Sequence, residues 1–335
     1  MIYSADTNRY SSMEYRRAGK SGVKLSKIAL GFWHNFGDVN TLDNSRSLMR
    51  YAFDKGVNYF DLADNYGPSY GSAEETFGII YQKDFKPYRD EMFIATKAGH
   101  DMWEGVYGTG SSRKNIIASC DQSLKRCKLD YFDIFYSHRY DGVTPVEETM
   151  EALIQLVRQG KALYVGISKY PPDKQQQAYD ILKEAKVPCL LSQYRYSMFD
   201  RKYCRDNFQI AADNGSGIIC FSPLAQGLLT GKYSNGIPEG SRAAKESGFL
   251  KAYQVTIPRI EAAKKLEAIA ANRGQTLAQM ALAWDLADSR VTSVIIGTSS
   301  VKQMDSNLKA IDNLDFTPEE IKRIDDILSN PELSF

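Results

Sequence analysis

Residues 132–167 read FDIFYSHRYDGVTPVEETMEALIQLVRQGKALYVGI. The first five are apolar but for one aspartate. Further on, Met150, Leu153, Ile154 and Val157 recur at helical spacing across 147–158, and Gly160 stands just past the last turn, where helices stop. The run 163–167 is apolar again. This is a strand, a helix and a strand, a unit whose strands pair in parallel. Outward from it, similar short runs lie at 27–32, 58–62 and 92–96 before the segment and at 189–193, 217–221 and 293–296 after it. That makes eight strands, several apolar nearly throughout, as strands buried on both faces are. Helix-period stretches fall between them at 45–55, 112–127, 174–186 and 257–273. No composition break divides the chain. The expected fold is α/β: a (β/α)8 TIM barrel over residues 1–335 as a single domain, rather than a doubly wound open sheet.

Two stretches depart from an even repeat. Residues 15–25 read as an N-terminal β-hairpin around Lys20-Ser21-Gly22, plugging the barrel bottom. The interval after strand seven is far longer than the others and holds a loop at 226–248 and two helices. Long loops in compact domains are usually functional.

Composition removes several alternatives. Of 335 residues, 43% are hydrophobic and 25% charged, ordinary globular usage. Lys plus Arg number 42 and Asp plus Glu 41, with no basic block, which argues against nucleic acid as partner. The five cysteines, Cys120, Cys127, Cys189, Cys204 and Cys220, are scattered without C-x-x-C spacing. They read as reduced thiols of a cytoplasmic protein, neither a disulfide framework nor a metal site. The N-terminal stretch lacks an apolar core for a signal peptide, and no run reaches the ~18 residues of a membrane span.

In barrels of this kind, chemistry gathers at the C-terminal ends of the strands. The second strand runs into Asp61-Leu62-Ala63-Asp64-Asn65-Tyr66-Gly67, the third ends Thr96-Lys97-Ala98-Gly99, and the fourth ends Tyr136-Ser137-His138-Arg139. A carboxylate with a phenol, an ammonium and an imidazole thus reach one rim. Hydride attack on a carbonyl makes an alkoxide, which needs a proton. A tyrosine, with a free pKa of ~10, is a poor but usable acid, and an adjacent ammonium lowers that value. Lys97 is expected to do this for Tyr66, with Asp61 as counter-charge and His138 orienting the carbonyl oxygen. A lyase forming a Schiff base on Lys97 fits the same spacing.

No G-x-G-x-x-G follows the first strand, so a Rossmann dinucleotide site is not expected. Gly108-Thr109-Gly110 reads as a flexible turn. A barrel can instead hold phosphate in the loops after strands seven and eight, beside a helix N-terminus. Here Gly297 permits close backbone approach, and Ser299 or Ser300 can cap the following helix. Trp33, Trp103 and Tyr107 are candidates for the wall of a small carbonyl pocket. Arg139, with Arg113 or Lys114, is its candidate cation.

These motifs resemble those of the aldo-keto reductases. The likeness rests on residues 61–68, 96–99 and 136–139, and on 31–37, 160–168 and 221–233 in the same order. Within that family the chain is similar to the bacterial L-glyceraldehyde 3-phosphate reductases and to potassium-channel beta subunits. The resemblance implies Asp61, Tyr66, Lys97 and His138 as catalytic tetrad and NADP(H) as cofactor. It implies a small-molecule carbonyl as substrate, such as L-glyceraldehyde 3-phosphate or methylglyoxal, and a homo-oligomer. The pocket would then comprise Trp33, Tyr66, Trp103, Tyr107, His138 and Arg139. For the cofactor, Trp33, Asp61, Ser168 and Gln193 would lie at the nicotinamide end, where Phe221 could stack on the ring. Ser222, Leu224, Gln226, Gly227 and Lys232 would cover the pyrophosphate, with Arg242 at the adenosine. Gly297, Ser299, Gln303 and Asn307 would hold the 2′-phosphate. The chain departs from its relatives in places. An arginine common in the last of these helices is not found, and Gln303 stands in its place. Channel beta subunits carry Glu before the residue matching Asn307, where this chain has Ser306. They also carry Asn where His138 stands, so the regulatory or channel-docking alternative is disfavoured against a working reductase.

Overall fold

Eight parallel strands close on themselves with helices outside them. The computed structural model describes residues 3–203, 205–239, 241–244 and 249–334, so Cys204 and the end of the expected 226–248 loop lie outside the described residues. An antiparallel pair, β1 (Tyr15–Arg17) and β2 (Lys24–Ser26), precedes the barrel. The barrel strands are β3 (Ile28–Gly31), β4 (Tyr59–Asp61), β5 (Phe93–Ala98), β6 (Phe132–Ser137), β7 (Ala162–Ser168), β8 (Cys189–Arg195), β9 (Gly217–Phe221) and β10 (Val291–Ile296). They pair in sequence order, and β10 returns to β3 to seal the cylinder. All eight coincide with the runs expected from the sequence.

The helices follow the apolar periodicity. They include α1 (Leu42–Asp54), α2 (Ser72–Ile80), α3 (Arg113–Cys127), α4 (Val146–Arg158) and α5 (Pro172–Glu184). Then come α6 (Asp206–Asp213), α7 (Ile257–Asn272), α8 (Leu277–Ala287), α9 (Val301–Leu308) and α10 (Pro318–Leu328). Ser112 caps α3 and Ser300 caps α9, each accepting from the amide three residues on. The sequence reading had no helix at α2, α6 or α10. In α2 the cause is a weak start: Gly71 precedes it with left-handed backbone and no side-chain cap.

The barrel interior is packed, not hollow. Tyr59, Tyr136, Ile134, Leu191 and Ile219 cluster inside it, and Ala18 and Leu25 of the hairpin join them from below. The hairpin is fastened there by the Lys20 amide on Gly215 O at 2.9 Å and by Arg16 on the carbonyls of Leu286 and Asp288 at 3.1 Å. The helices pack on the outer face in a second, larger core.

Candidate active site

Strand register brings the reactive groups level. Asp61 pairs with Ala95, and Lys97 with Tyr136. Past the strand ends, the Asp64 amide reaches Lys97 O at 2.9 Å and the His138 amide reaches Ala98 O at 2.8 Å. Tyr66 follows on a tight turn closed by its amide on Ala63 O. That turn needs Gly67: its φ is +125°, and a Cβ there would lie 2.0 Å from Ser72 Oγ.

Lys97 Nζ donates to Asp61 Oδ2 at 2.6 Å, to Leu62 O at 2.6 Å and to Tyr66 OH at 3.3 Å. All three N–H donors are thus engaged. Asp61 Oδ1 accepts from Gln193 Nε2 at 2.9 Å and from Tyr59 OH at 3.1 Å. The ring of Tyr66 meets that of His138 edge-on at 5.8 Å, and His138 meets His100 edge-on at 4.4 Å. Behind Lys97 a fully buried carboxylate, Glu74, accepts from Thr96 Oγ1 at 2.6 Å and pairs with Arg126 at 2.7 Å.

Burial governs the charges. It pulls Lys97 below the usual ammonium range, while Asp61 opposes it. Tyr66 is pushed well above the usual phenol range, by burial first and then by Asp61 and Asp64. This corrects the expectation that Lys97 lowers Tyr66. The ammonium lies closer to Asp61 than to Tyr66, so desolvation of the phenolate wins. Tyr66 is therefore a phenol that keeps its proton. His138 is driven well below the imidazole range by burial, then by Lys169 and Lys97, and is neutral.

Above these residues opens a cavity of about 530 Å³. Tyr66 and His138 line it, as do Trp33, Asp61, Gln193, Phe221, Ser222, Leu224, Gln226, Gly227, Lys232, Arg242, Gly297, Ser299 and Gln303. Ser168 and Asn307 lie buried outside the lining, and Ser168 Oγ and Asn307 Nδ2 have no hydrogen-bond partner among the described residues. Gln303 Oε1 accepts from the Ser299 amide at 3.1 Å. A Cβ on Gly297 would meet Asn35 Nδ2 at 3.3 Å and Arg242 at 3.7 Å, so the bare backbone there forms a narrow cradle. Ser222 and Gln226, with Lys169, hold φ values of 57°, 58° and 58°. Such left-handed backbone costs about 1–3 kcal/mol per residue and gathers at functional sites.

Three residues expected in the pocket are placed otherwise. Trp103 and Tyr107 are outside the cavity lining, because their loop closes on itself through the Met102 amide on Gly108 O and Asn115 Nδ2 on Tyr107 O. Arg139 is also outside it, its guanidinium donating to Gly99 O at 2.9 Å and Thr109 Oγ1 at 3.2 Å. Arg113 pairs with Glu151 on the helical exterior, and Lys114 lies 5.1 Å over the Tyr107 ring. Among the described residues, the cavity's cations are instead Lys169, Lys232 and Arg242. The sequence reading missed Lys169, His100 and Phe249. The first two directly follow the ends of β7 and the Thr-Lys-Ala-Gly motif, where rim residues were already being sought.

The profile of the Aldo/keto reductase family matches residues 27–329. The chain is 49% identical over 338 residues to L-glyceraldehyde 3-phosphate reductase of Escherichia coli O157:H7 and equally to that of Escherichia coli strain K12. Each alignment spans 100% of this chain and 98% of the relative.

Proposed function

The chain belongs to the aldo/keto reductase family, and on that premise we propose that it reduces short aldehydes and ketones to alcohols with NADPH, taking L-glyceraldehyde 3-phosphate or methylglyoxal as substrate. One observation carries the reading: Lys97 Nζ, buried beneath the cavity, bridges Asp61 and the Tyr66 hydroxyl at 2.6 and 3.3 Å, and these two line the cavity with His138. A lysine whose three donors are all engaged is a hydrogen-bond hub, which disfavours the Schiff-base alternative.

The residues suit a nicotinamide dinucleotide. Ser168 Oγ and Asn307 Nδ2 are buried polar atoms in want of partners, and the Gly297 cradle beside Arg242 admits a close anion. Ser168 and Gln193 would hold the carboxamide, Phe221 would face the ring, and Lys232 and Arg242 would neutralise phosphate. The group supplies a hydride when bound. Tyr66, protonated and hydrogen-bonded to Lys97, gives its proton to the carbonyl oxygen as negative charge develops there. Neutral His138 fixes that oxygen beside Tyr66 without competing as an acid. Asp61 holds the ammonium in place, and solvent returns the proton to Tyr66.

The same reading takes the protein as a homo-oligomer in the cytoplasm. Cys120, Cys127, Cys189 and Cys220, all buried free thiols, suit a reducing compartment. No helix among the described residues is long and apolar enough to cross a membrane. Light scattering tests the assembly. The decisive assay follows NADPH absorbance against a panel of short aldehydes, where turnover is expected. Tight NADPH binding with no oxidation across the panel would overturn the proposal.

A further inference from the structure

We propose that Lys169, held by His100, seats an anionic group of the carbonyl substrate, a phosphate or carboxylate a short carbon chain away from the reacting centre. The inference rests on the reductase reading and adds to it the residue that sets substrate charge.

Lys169 follows β7 directly. Its amide donates to Gln193 O at 3.2 Å, and its left-handed backbone, with φ of 58°, departs from the strand direction. Its side chain lines the cavity, with Nζ 2.8 Å from His100 Nε2 and 6.0 Å from the Phe221 ring centroid. His100 is pushed down to about 3, by burial first and then by Lys169, so its Nε2 accepts from the ammonium. Two N–H donors remain on Nζ.

Charge balance separates this lysine from the buried cations that have a carboxylate partner. Lys97 has Asp61, Arg126 has Glu74 and Arg273 has Glu320, each at 2.6–2.7 Å. Among the described residues no carboxylate lies within ion-pair distance of Lys169, whose charged surroundings are Lys97 and Arg139. A desolvated cation facing a cavity among like charges gains most from an incoming anion. The position suits a substrate rather than a distant phosphate of the cofactor. His100 meets His138 edge-on at 4.4 Å, His138 meets Tyr66 at 5.8 Å, and all of them line one cavity with Lys169, so an anion on Lys169 shares the chamber of the reacting centre. Lys232 and Arg242 form a separate cationic set, with Arg242 close to Gly297.

The test pairs aldehydes that differ in one charge: L-glyceraldehyde 3-phosphate against L-glyceraldehyde, and succinic semialdehyde against butanal. A charge-assisted hydrogen bond is worth roughly tenfold to a hundredfold in affinity. The wild type should favour the charged member of at least one pair by about that ratio in kcat/KM, and which pair responds tells phosphate from carboxylate. Lys169→Met should collapse the preference mainly through KM for the charged aldehyde, and Lys169→Arg should restore most of it. A preference that survives Lys169→Met overturns the proposal, as does a wild type with none. A rise in KM for NADPH matching that for the aldehyde would assign Lys169 to the cofactor instead. If the wild type oxidises NADPH with none of the four, the reductase reading fails and this inference with it.

Discussion

Replacing Tyr66 with phenylalanine removes one oxygen from the floor of the cavity. The ring keeps its edge contact with His138, and Lys97 keeps its two 2.6 Å acceptors, losing only the 3.3 Å one. Folding stability should move by less than about 1 kcal/mol, since the remaining network is intact. Turnover should not survive so well. A positioned general acid contributes roughly 10²–10⁴-fold, and a donor aimed at a developing oxyanion about 10²–10³-fold. One hydroxyl fills both roles here, so the two do not multiply. A loss of about 10³-fold in kcat, near 4 kcal/mol in barrel-floor stabilisation of the transition state, is the expectation. Stopped or steady-state NADPH absorbance with methylglyoxal reads the rate, and fluorescence titration reads cofactor binding, which should not change. Lys97→Met offers the contrast. It strands Asp61, 2% exposed, without its ammonium, and breaking such a buried pair costs about 3–5 kcal/mol. That variant should lose activity and also melt on the order of 5 °C lower. If Tyr66→Phe keeps kcat within tenfold of the wild type with NADPH still bound, Tyr66 is not the acid and the division of roles collapses.

Other expectations concern charge. Arg242→Ala should weaken NADPH by about tenfold to a hundredfold, the worth of a charge-assisted contact, with a smaller effect on NADH; equal losses in calorimetry would move Arg242 away from the 2′-phosphate. Lys169 is lowered to about 7 by burial and then by Lys97 and Arg139. As pH rises through that value the ammonium empties, so kcat/KM for glyceraldehyde 3-phosphate should fall while the profile for glyceraldehyde does not follow it. His100 stays neutral across this range; parallel profiles for the two aldehydes would count against the assignment. Far from the cavity, the Asp84 side chain is fully buried between Arg46 and Arg50 at 2.6 and 2.8 Å. Although burial pushes its carboxyl up, the two arginines hold it at about 2. Because that value is depressed on folding, the stabilisation is complete above the unfolded carboxylate value and is lost as pH falls through about 2. It amounts to about 2 kcal/mol. Asp84→Asn should remove it and flatten the acid limb of a denaturation series below pH ~4; an unchanged limb would show that the pair contributes nothing.

The strands and the site were legible to different degrees, for physical reasons. A parallel barrel buries each strand on both faces, so runs such as 132–136 and 217–221 announce themselves by composition alone. Lys97 and His138 were legible because strand ends fix where side chains emerge. Lys169 was not, although it too follows a strand. What carries it into the cavity is a left-handed φ at a residue that gives no sign of one in sequence. The loop around Trp103 and Tyr107 was misplaced for a related reason. Its aromatics looked available, but the hydrogen bonds that fold 102–108 onto itself are made by backbone atoms common to every residue. The phenol shift went the wrong way in sequence because burial decides it: the contacts of Lys97 with Tyr66 and Asp61 were inferred, but the desolvation of the Tyr66 hydroxyl was not.

The hairpin beneath the barrel has an effect at the opposite end. Ala18 and Leu25 fill the lower end of the cylinder and side chains fill its middle, leaving the rim as the way in. There the Phe249 ring meets those of Trp33 and His34 at a tilt, at 4.7 and 4.4 Å, and narrows the lip. Traffic is then two-way on a single lane. Whatever enters and whatever leaves would share that one opening.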